Sequence, residues 1–136
     1  MKKLILFPLV GLVFIFLIIM IFIIINIITN PLRKSEEQIK ENILKIIPNG
    51  TDMDDVIKSI ENNKKWKITW INNEHGYGMA YGRPGEYYID TVGVKSIRSN
   101  VGHYSNLFIT DVVVYWGFDE DLKLIDIAVR KDTDSL

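Results

Sequence analysis

The sequence predicts an α+β chain: an N-terminal transmembrane helix, then two short helices packed on an antiparallel sheet of three to four strands. Three observations carry this reading. Leu4–Ile28 is an almost unbroken apolar run. Two stretches with apolar residues at 3–4 spacing follow it, separated by Pro48-Asn49-Gly50. Beyond them lie alternating stretches, the last two joined by the short polar turn Asp119-Glu120-Asp121. Strands that neighbour in sequence and connect through so short a turn pair antiparallel, and the helices then form a layer on one sheet face.

The apolar run contains no charge, and its one strongly polar residue, Asn26, lies close to its end. A helix over Leu4–Ile28 is roughly 37 Å long against a hydrocarbon core of about 30 Å, so it spans a bilayer with some tilt. Membrane lipid is therefore the expected partner of this segment. A cleaved signal peptide has an apolar region of about 7–15 residues and a small-residue cleavage site. This run is longer, and its exit, Asn26-Ile27-Ile28-Thr29-Asn30-Pro31, offers no such site, so an uncleaved signal anchor is the better reading. With no cysteine in the chain, a lipid-anchored lipoprotein, disulfides, zinc–thiolate sites and a thiol nucleophile are excluded. Lys2 and Lys3 precede the span, whereas Arg33, Lys34, Lys40 and Lys45 follow it. A bare count of these residues slightly favours an inward-facing domain. The very short basic head and the interleaved Glu36, Glu37 and Glu41 point instead to head inside, domain outside. The expected division is 1–30 as membrane anchor and 31–136 as one small extracytoplasmic domain with a modest core.

Ser35–Ile47 reads as a helix, with Ile39, Ile43, Ile46 and Ile47 on its apolar side. Ser35 and Gln38 have the form of a capping box. Pro48-Asn49-Gly50 stops this helix. Thr51 is the expected cap of the next one, with Asp52, Asp54 and Asp55 at the positive end of its dipole and Met53, Val56, Ile57 and Ile60 as the buried stripe. Strands follow. Lys65–Ile71 places Trp66, Ile68 and Trp70 on one face, read as helix-facing core rather than an aromatic binding platform. Asn72 to about Tyr88, rich in glycine and tyrosine, reads as the longest loop. Thr91–Val101 is a weaker strand. Phe108–Phe118 is the strongest, with Val112, Val114, Trp116 and Phe118 sharing a face. Leu122–Arg130 returns, with Ile125, Ile127 and Val129 alternating against Asp126, Ala128 and Arg130.

Asn49-Gly50-Thr51-Asp52-Met53-Asp54-Asp55-Val56-Ile57 resembles the Gly-Met-Thr-x-x-x-Val opening of small SmpA/BamE-like envelope domains, without the Met between Gly and Thr. Those domains share a two-helix, three-stranded antiparallel architecture with β-lactamase-inhibitor-like proteins. Val112–Asp121 with Ile125–Asp134 also resembles uncharacterised single-pass bacterial proteins carrying a Trp-Gly-Phe-Asp-Glu turn and an Asp-Thr-Asp tail. The resemblances imply a fold and a bacterial envelope setting, and they carry no catalytic residues across.

Charge and composition narrow the function. With Lys2 and Lys3 set aside, 14 basic residues stand against 17 acidic ones, about −3 for the domain, which argues against nucleic acid as a partner. Glu74–Pro84 puts a base, a cation and tyrosines on a glycine-rich backbone. Its glycines at 76, 78 and 82 miss the dinucleotide spacing, and no Gly-Lys-Ser/Thr phosphate loop occurs. Tyr77, Tyr81, Arg83, Tyr87 and Tyr88 are the candidate partner-binding residues, because aromatic and Arg side chains are common interface anchors. The competing reading is a flexible connection whose tyrosines pack on the sheet. His75 and His103 are the only histidines, and neither stands at a metal-ligand spacing. Asp119-Glu120-Asp121 and Asp132-Thr133-Asp134 do not continue into a calcium loop and read as a solvated hairpin tip and a polar tail. No cofactor, metal or catalytic residue is expected. The functional expectation is a membrane-anchored, non-enzymatic binding module of the cell envelope with an envelope protein as partner. A toxin-neutralising immunity protein is the alternative, and an enzyme comes third for want of a clustered acid–base set.

Overall fold

The computed structural model describes residues 2–81, 88–105 and 108–134, with side chains described over 10–78, 90–105 and 108–134. The chain divides into two compact units, Met1–Arg33 and Lys34–Leu136, three residues later than the sequence division. The first is helix α1 (Lys2–Thr29) and a 3₁₀ turn at Pro31–Arg33. Within α1, Val10–Thr29 has a mean hydropathy of 3.3 and is wholly exposed in the isolated chain, so the helix is long and apolar enough to cross a membrane. Its polar residues are satisfied by its own backbone: Asn26 Nδ2 donates to the Phe22 carbonyl and Thr29 Oγ1 to the Ile25 carbonyl, both at 2.8 Å. Each bond removes one polar hydrogen that would otherwise face lipid.

Among its described residues the second unit contains α2 (Glu36–Ile46), α3 (Met53–Asn62) and six strands: β1 (Lys67–Asn72), β2 (Tyr77–Tyr81), β3 (Tyr88–Val92), β4 (Lys95–Ser105), β5 (Ile109–Phe118) and β6 (Leu124–Thr133). A four-stranded antiparallel sheet runs β1-β4-β5-β6, and β2-β3 form a separate two-stranded sheet. One face of the large sheet is the core. Ile97, Val112, Val114, Trp116, Phe118, Leu124, Ile127 and Val129 are buried there together with Ile39, Ile43 and Ile47 of the α2 region and Met53, Val56 and Ile60 of α3. The indole N–H of Trp116 donates to Ser99 Oγ at 2.9 Å, so this polar atom is buried but paired. The expected architecture is the observed one, and the Ser35–Gln38 capping box is present in both directions.

Several local expectations are overturned. Within the stretch read as a loop, Asn72–Tyr88, Tyr77–Tyr81 is a strand, and residues 82–87 lie outside the described residues. An Asx turn at Asn72, whose Oδ1 accepts the N–H groups of Glu74 and His75, leads into the β2-β3 hairpin. The residue preceding α3 is Asp52 rather than Thr51, and it makes no side-chain cap; Thr51 Oγ1 instead donates to the Pro48 carbonyl at 2.7 Å. Backbone pairing explains the shift. Gly50 N–H donates to Leu124, Leu124 N–H to Thr51, and Met53 N–H to Leu122, which ties the interhelical link to the β5–β6 turn. Ile46 is 72% exposed and Ile47 buried, because the helix ends between them. A register shift between Ile68 and Trp70 turns Trp70 off the Trp66–Ile68 face, so Trp70 is exposed while Trp66 packs against Trp116, ring centroids 6.2 Å apart and planes tilted by 50°. A second shift opposite Gly117/Phe118 makes Ile125 the extra residue and puts Leu124 into the core instead. Asp132-Thr133 belongs to β6, and Thr133 meets Thr110 hydroxyl to hydroxyl at 3.0 Å.

Candidate functional site

The β2-β3 hairpin is seated on the sheet face opposite the helices, and glycines make its close approach possible. A Cβ on Gly76 would stand 2.2 Å from the carbonyl oxygens of Val92 and Gly93. Gly93 adopts φ +78° as the chain turns from β3 to β4, and a Cβ there would stand 2.5 Å from the Phe118 carbonyl oxygen. Ser96 Oγ donates to the His75 carbonyl at 2.9 Å. Gly117 leaves room beside Val92 for the Tyr77 ring, which also lies 5.9 Å from the Tyr115 ring.

On the helix side, α2 packs against β6. Lys40 Nζ reaches Asp126 at 2.8 Å, and Arg130 approaches Glu36 at 3.9 Å. The other oxygen of Glu36 accepts the backbone N–H of Lys131 at 2.9 Å. That N–H therefore faces away from β5. Because main-chain groups alternate along a strand, the N–H and C=O of Ile127 and Val129 lie on the same outer edge. β6 is the end strand of its sheet.

Between α2 on one side and the hairpin on the other, this edge borders a cleft of about 260 Å³ lined by Glu36, Glu37, Lys40, Tyr77, Asp90, Val92 and residues 126–130. Four carboxylates (Glu36, Glu37, Asp90, Asp126) face two cations (Lys40, Arg130) there. The cations are matched by Asp126 and Glu36, which leaves the solvent-exposed side chains of Glu37 and Asp90 with no ion pair or hydrogen bond among the described residues. Tyr77 is 3% exposed, and its hydroxyl has no hydrogen-bond partner among the described residues. Burial first, and the charge of Asp126 second, hold its phenol well above the usual range, so it stays protonated. The cleft thus brings two exposed carboxylates without counter-charges, Glu37 and Asp90, beside a buried phenol. This suits it to hold a cationic or hydrogen-bonding ligand.

The sequence candidates divide accordingly. Tyr77 forms part of the cleft wall and is buried, not presented to solvent. Tyr81 and Tyr88 are register partners at the far end of the hairpin. Arg83 and Tyr87 lie outside the described residues. His75 is exposed next to the Asx turn, and His103 is exposed opposite Asp111 in the ladder. Among the described residues no group of three or more His, Asp or Glu could hold a metal ion. Glu36, Glu37, Lys40, Asp90, Asp126 and Arg130 were not legible as a site. Lys40 and Asp126 are 86 positions apart, and only the register of β6 brings them together. In class, then, the chain joins a helix of membrane-spanning length to an α+β domain with a cleft beside the end strand of its sheet. Compared with family models, curated proteins and solved structures, it matches none.

Proposed function

We propose that this chain is a membrane-anchored, non-enzymatic binding module of the bacterial cell envelope, whose domain holds a protein partner in the cleft between α2, β6 and the β2-β3 hairpin. The observation that carries the reading is the set of unmatched groups in that cleft: Glu37 and Asp90 without counter-charges and the Tyr77 hydroxyl without a partner. Glu37 and Asp90 are exposed, so the cost of an unmade bond falls on the Tyr77 hydroxyl alone: a buried polar group without a hydrogen bond costs about 1–3 kcal/mol, which a partner group reaching it recovers. The helix Val10–Thr29 supplies the anchor. The short basic head and the resemblance to envelope domains support the outward orientation.

The setting is tested with a Ser135→Cys variant, since the chain has no other cysteine. In intact cells a membrane-impermeant maleimide is expected to label it without lysis, and an alkaline carbonate wash is expected to leave the chain in the membrane fraction. Labelling only after lysis would overturn the envelope-facing part of the proposal. Release by carbonate would overturn the anchor.

A further inference from the structure

We propose that the outer edge of β1 pairs antiparallel with the β1 of a second copy of this chain, joining two four-stranded sheets into one continuous sheet. This contact lies at the other end of the sheet from the cleft, and it stands or falls independently of the cleft.

The sheet has two end strands, β1 and β6, and they are finished differently. The outer side of β6 is occupied: Gly50–Met53 bonds to Leu122 and Leu124, Glu36 Oε1 takes the Lys131 N–H, and Ile127 and Val129 are buried. β1 pairs with β4 alone, and among the described residues no main-chain group of Lys67–Asn72 bonds to anything else. Main-chain groups alternate in direction along a strand, so about half of those in β1 face outward. Lys67, Thr69, Trp70 and Ile71 are all exposed. An uncovered row of this kind is a template for another strand. The extra residue at the register shift, Thr69, is drawn back onto β4: its hydroxyl donates to the Arg98 carbonyl at 2.9 Å and accepts from the Arg98 guanidinium at 3.1 Å.

Two features name a second copy as the occupant. Trp70 stands opposite Arg98 in the ladder and Ile71 opposite Ile97, so the two side chains project to opposite faces of the edge. They are 39% and 42% exposed. An added strand covers both, and an identical strand brings the same apolar pair to meet them. The charges set the direction. Lys64, Lys65 and Lys67 stand at the start of β1 and Glu74 beyond its end, all exposed and none in an ion pair among the described residues. In an antiparallel pair the lysines of each copy lie toward the Glu74 of the other. In a parallel pair Lys65 and Lys67 would face themselves, which is destabilising. The antiparallel arrangement is also self-complementary about a two-fold axis, so it closes with two copies.

The test uses the full-length chain in its membrane, with a single cysteine at each position from Lys67 to Asn72 and, as a distant reference, at Glu120 on the β5–β6 turn, since the chain has none of its own. A disulfide needs Cα atoms about 4.4–6.8 Å apart, a distance that directly opposed residues of antiparallel strands meet. Under mild oxidation the disulfide-linked dimer is expected to peak at one or two adjacent β1 positions, about tenfold above Glu120→Cys, because each step away from the two-fold axis parts the two copies of a residue by about 6–7 Å more. Variants on either side of the peak are expected to cross-link when mixed and not alone. Lys65→Glu is expected to lower the yield severalfold, and Lys65→Glu/Glu74→Lys to restore it. Equal yields at every position including Glu120, no dimer from any β1 position, self-linking at both Lys67 and Asn72 as a parallel pair would give, or a yield indifferent to Lys65→Glu would each overturn the proposal. A photo-crosslinking amino acid at Trp70 in cells distinguishes the occupants. An adduct of twice the chain's mass is expected, and a discrete adduct of any other mass would overturn the second copy in favour of a foreign strand.

Discussion

Two buried hydroxyls in this domain stand in opposite positions. Ser99 Oγ accepts the indole N–H of Trp116, a side chain with no exposed surface. Ser99→Ala would strand that N–H, and a urea melt should show a loss of about 1–3 kcal/mol. The Tyr77 hydroxyl, by contrast, has no partner among the described residues, so Tyr77→Phe should leave stability near neutral pH unchanged or slightly higher. The two proteins should diverge in alkali. An unfolded tyrosine loses its proton near pH 10, about its ordinary value, whereas the folded Tyr77 keeps it because burial and Asp126 raise its pKa. The folded state then binds more protons than the unfolded one, and stability must fall as pH rises beyond about 10. Melts between about pH 9 and 11 should show a steeper decline for the parent than for Tyr77→Phe; equal slopes would mean that the phenol is not held protonated by the fold. At the helix starts, Ser35→Ala should cost about 1 kcal/mol through the capping box. Thr51→Ala removes only an exposed bond to Pro48 and should cost less than about 0.5 kcal/mol.

At the scale of elements, what could be read from the residues and what could not have distinct physical causes. The 3–4 spacing of Ile39 and Ile43, and of Met53, Val56 and Ile60, marked both helices, because a periodic stripe is a property of one segment. The alternation of Val112, Val114, Trp116 and Phe118 did the same for β5. Periodicity fails where a strand changes register. The shift after Ile68 turned Trp70 outward, and the shift beside Phe118 exchanged Leu124 for Ile125 in the core. A bulge is set by the partner strand, and nothing local announces it. The hairpin was hidden for another reason. Gly76 and Gly78 look like loop residues, yet Gly76 is needed so that β2 can approach the main chain of Val92 and Gly93. Gly93→Ala should test this seating. With φ +78° and a Cβ 2.5 Å from the Phe118 oxygen, it should destabilise by more than about 1 kcal/mol, and Tyr77 should become accessible to fluorescence quenchers.

Across the whole molecule, the membrane-length helix was legible because hydrophobic length is a linear property of the chain. The cleft was not, because its residues come from α2, the hairpin and β6 and share no motif. The proposal that the domain meets its partner in this cleft can be tested in cells. It is tested most directly by placing a photo-crosslinking amino acid, one position at a time, at Glu37 and Asp90 in the cleft and at the exposed Glu61 and Lys67 away from it, in otherwise unaltered cells. A discrete adduct of the same size is expected from both cleft positions, lost when the Glu37→Lys or Asp90→Lys charge reversal is introduced at the other position, with none of that size from Glu61 or Lys67. Adducts from Glu61 and Lys67 with none from Glu37 and Asp90 would contradict it.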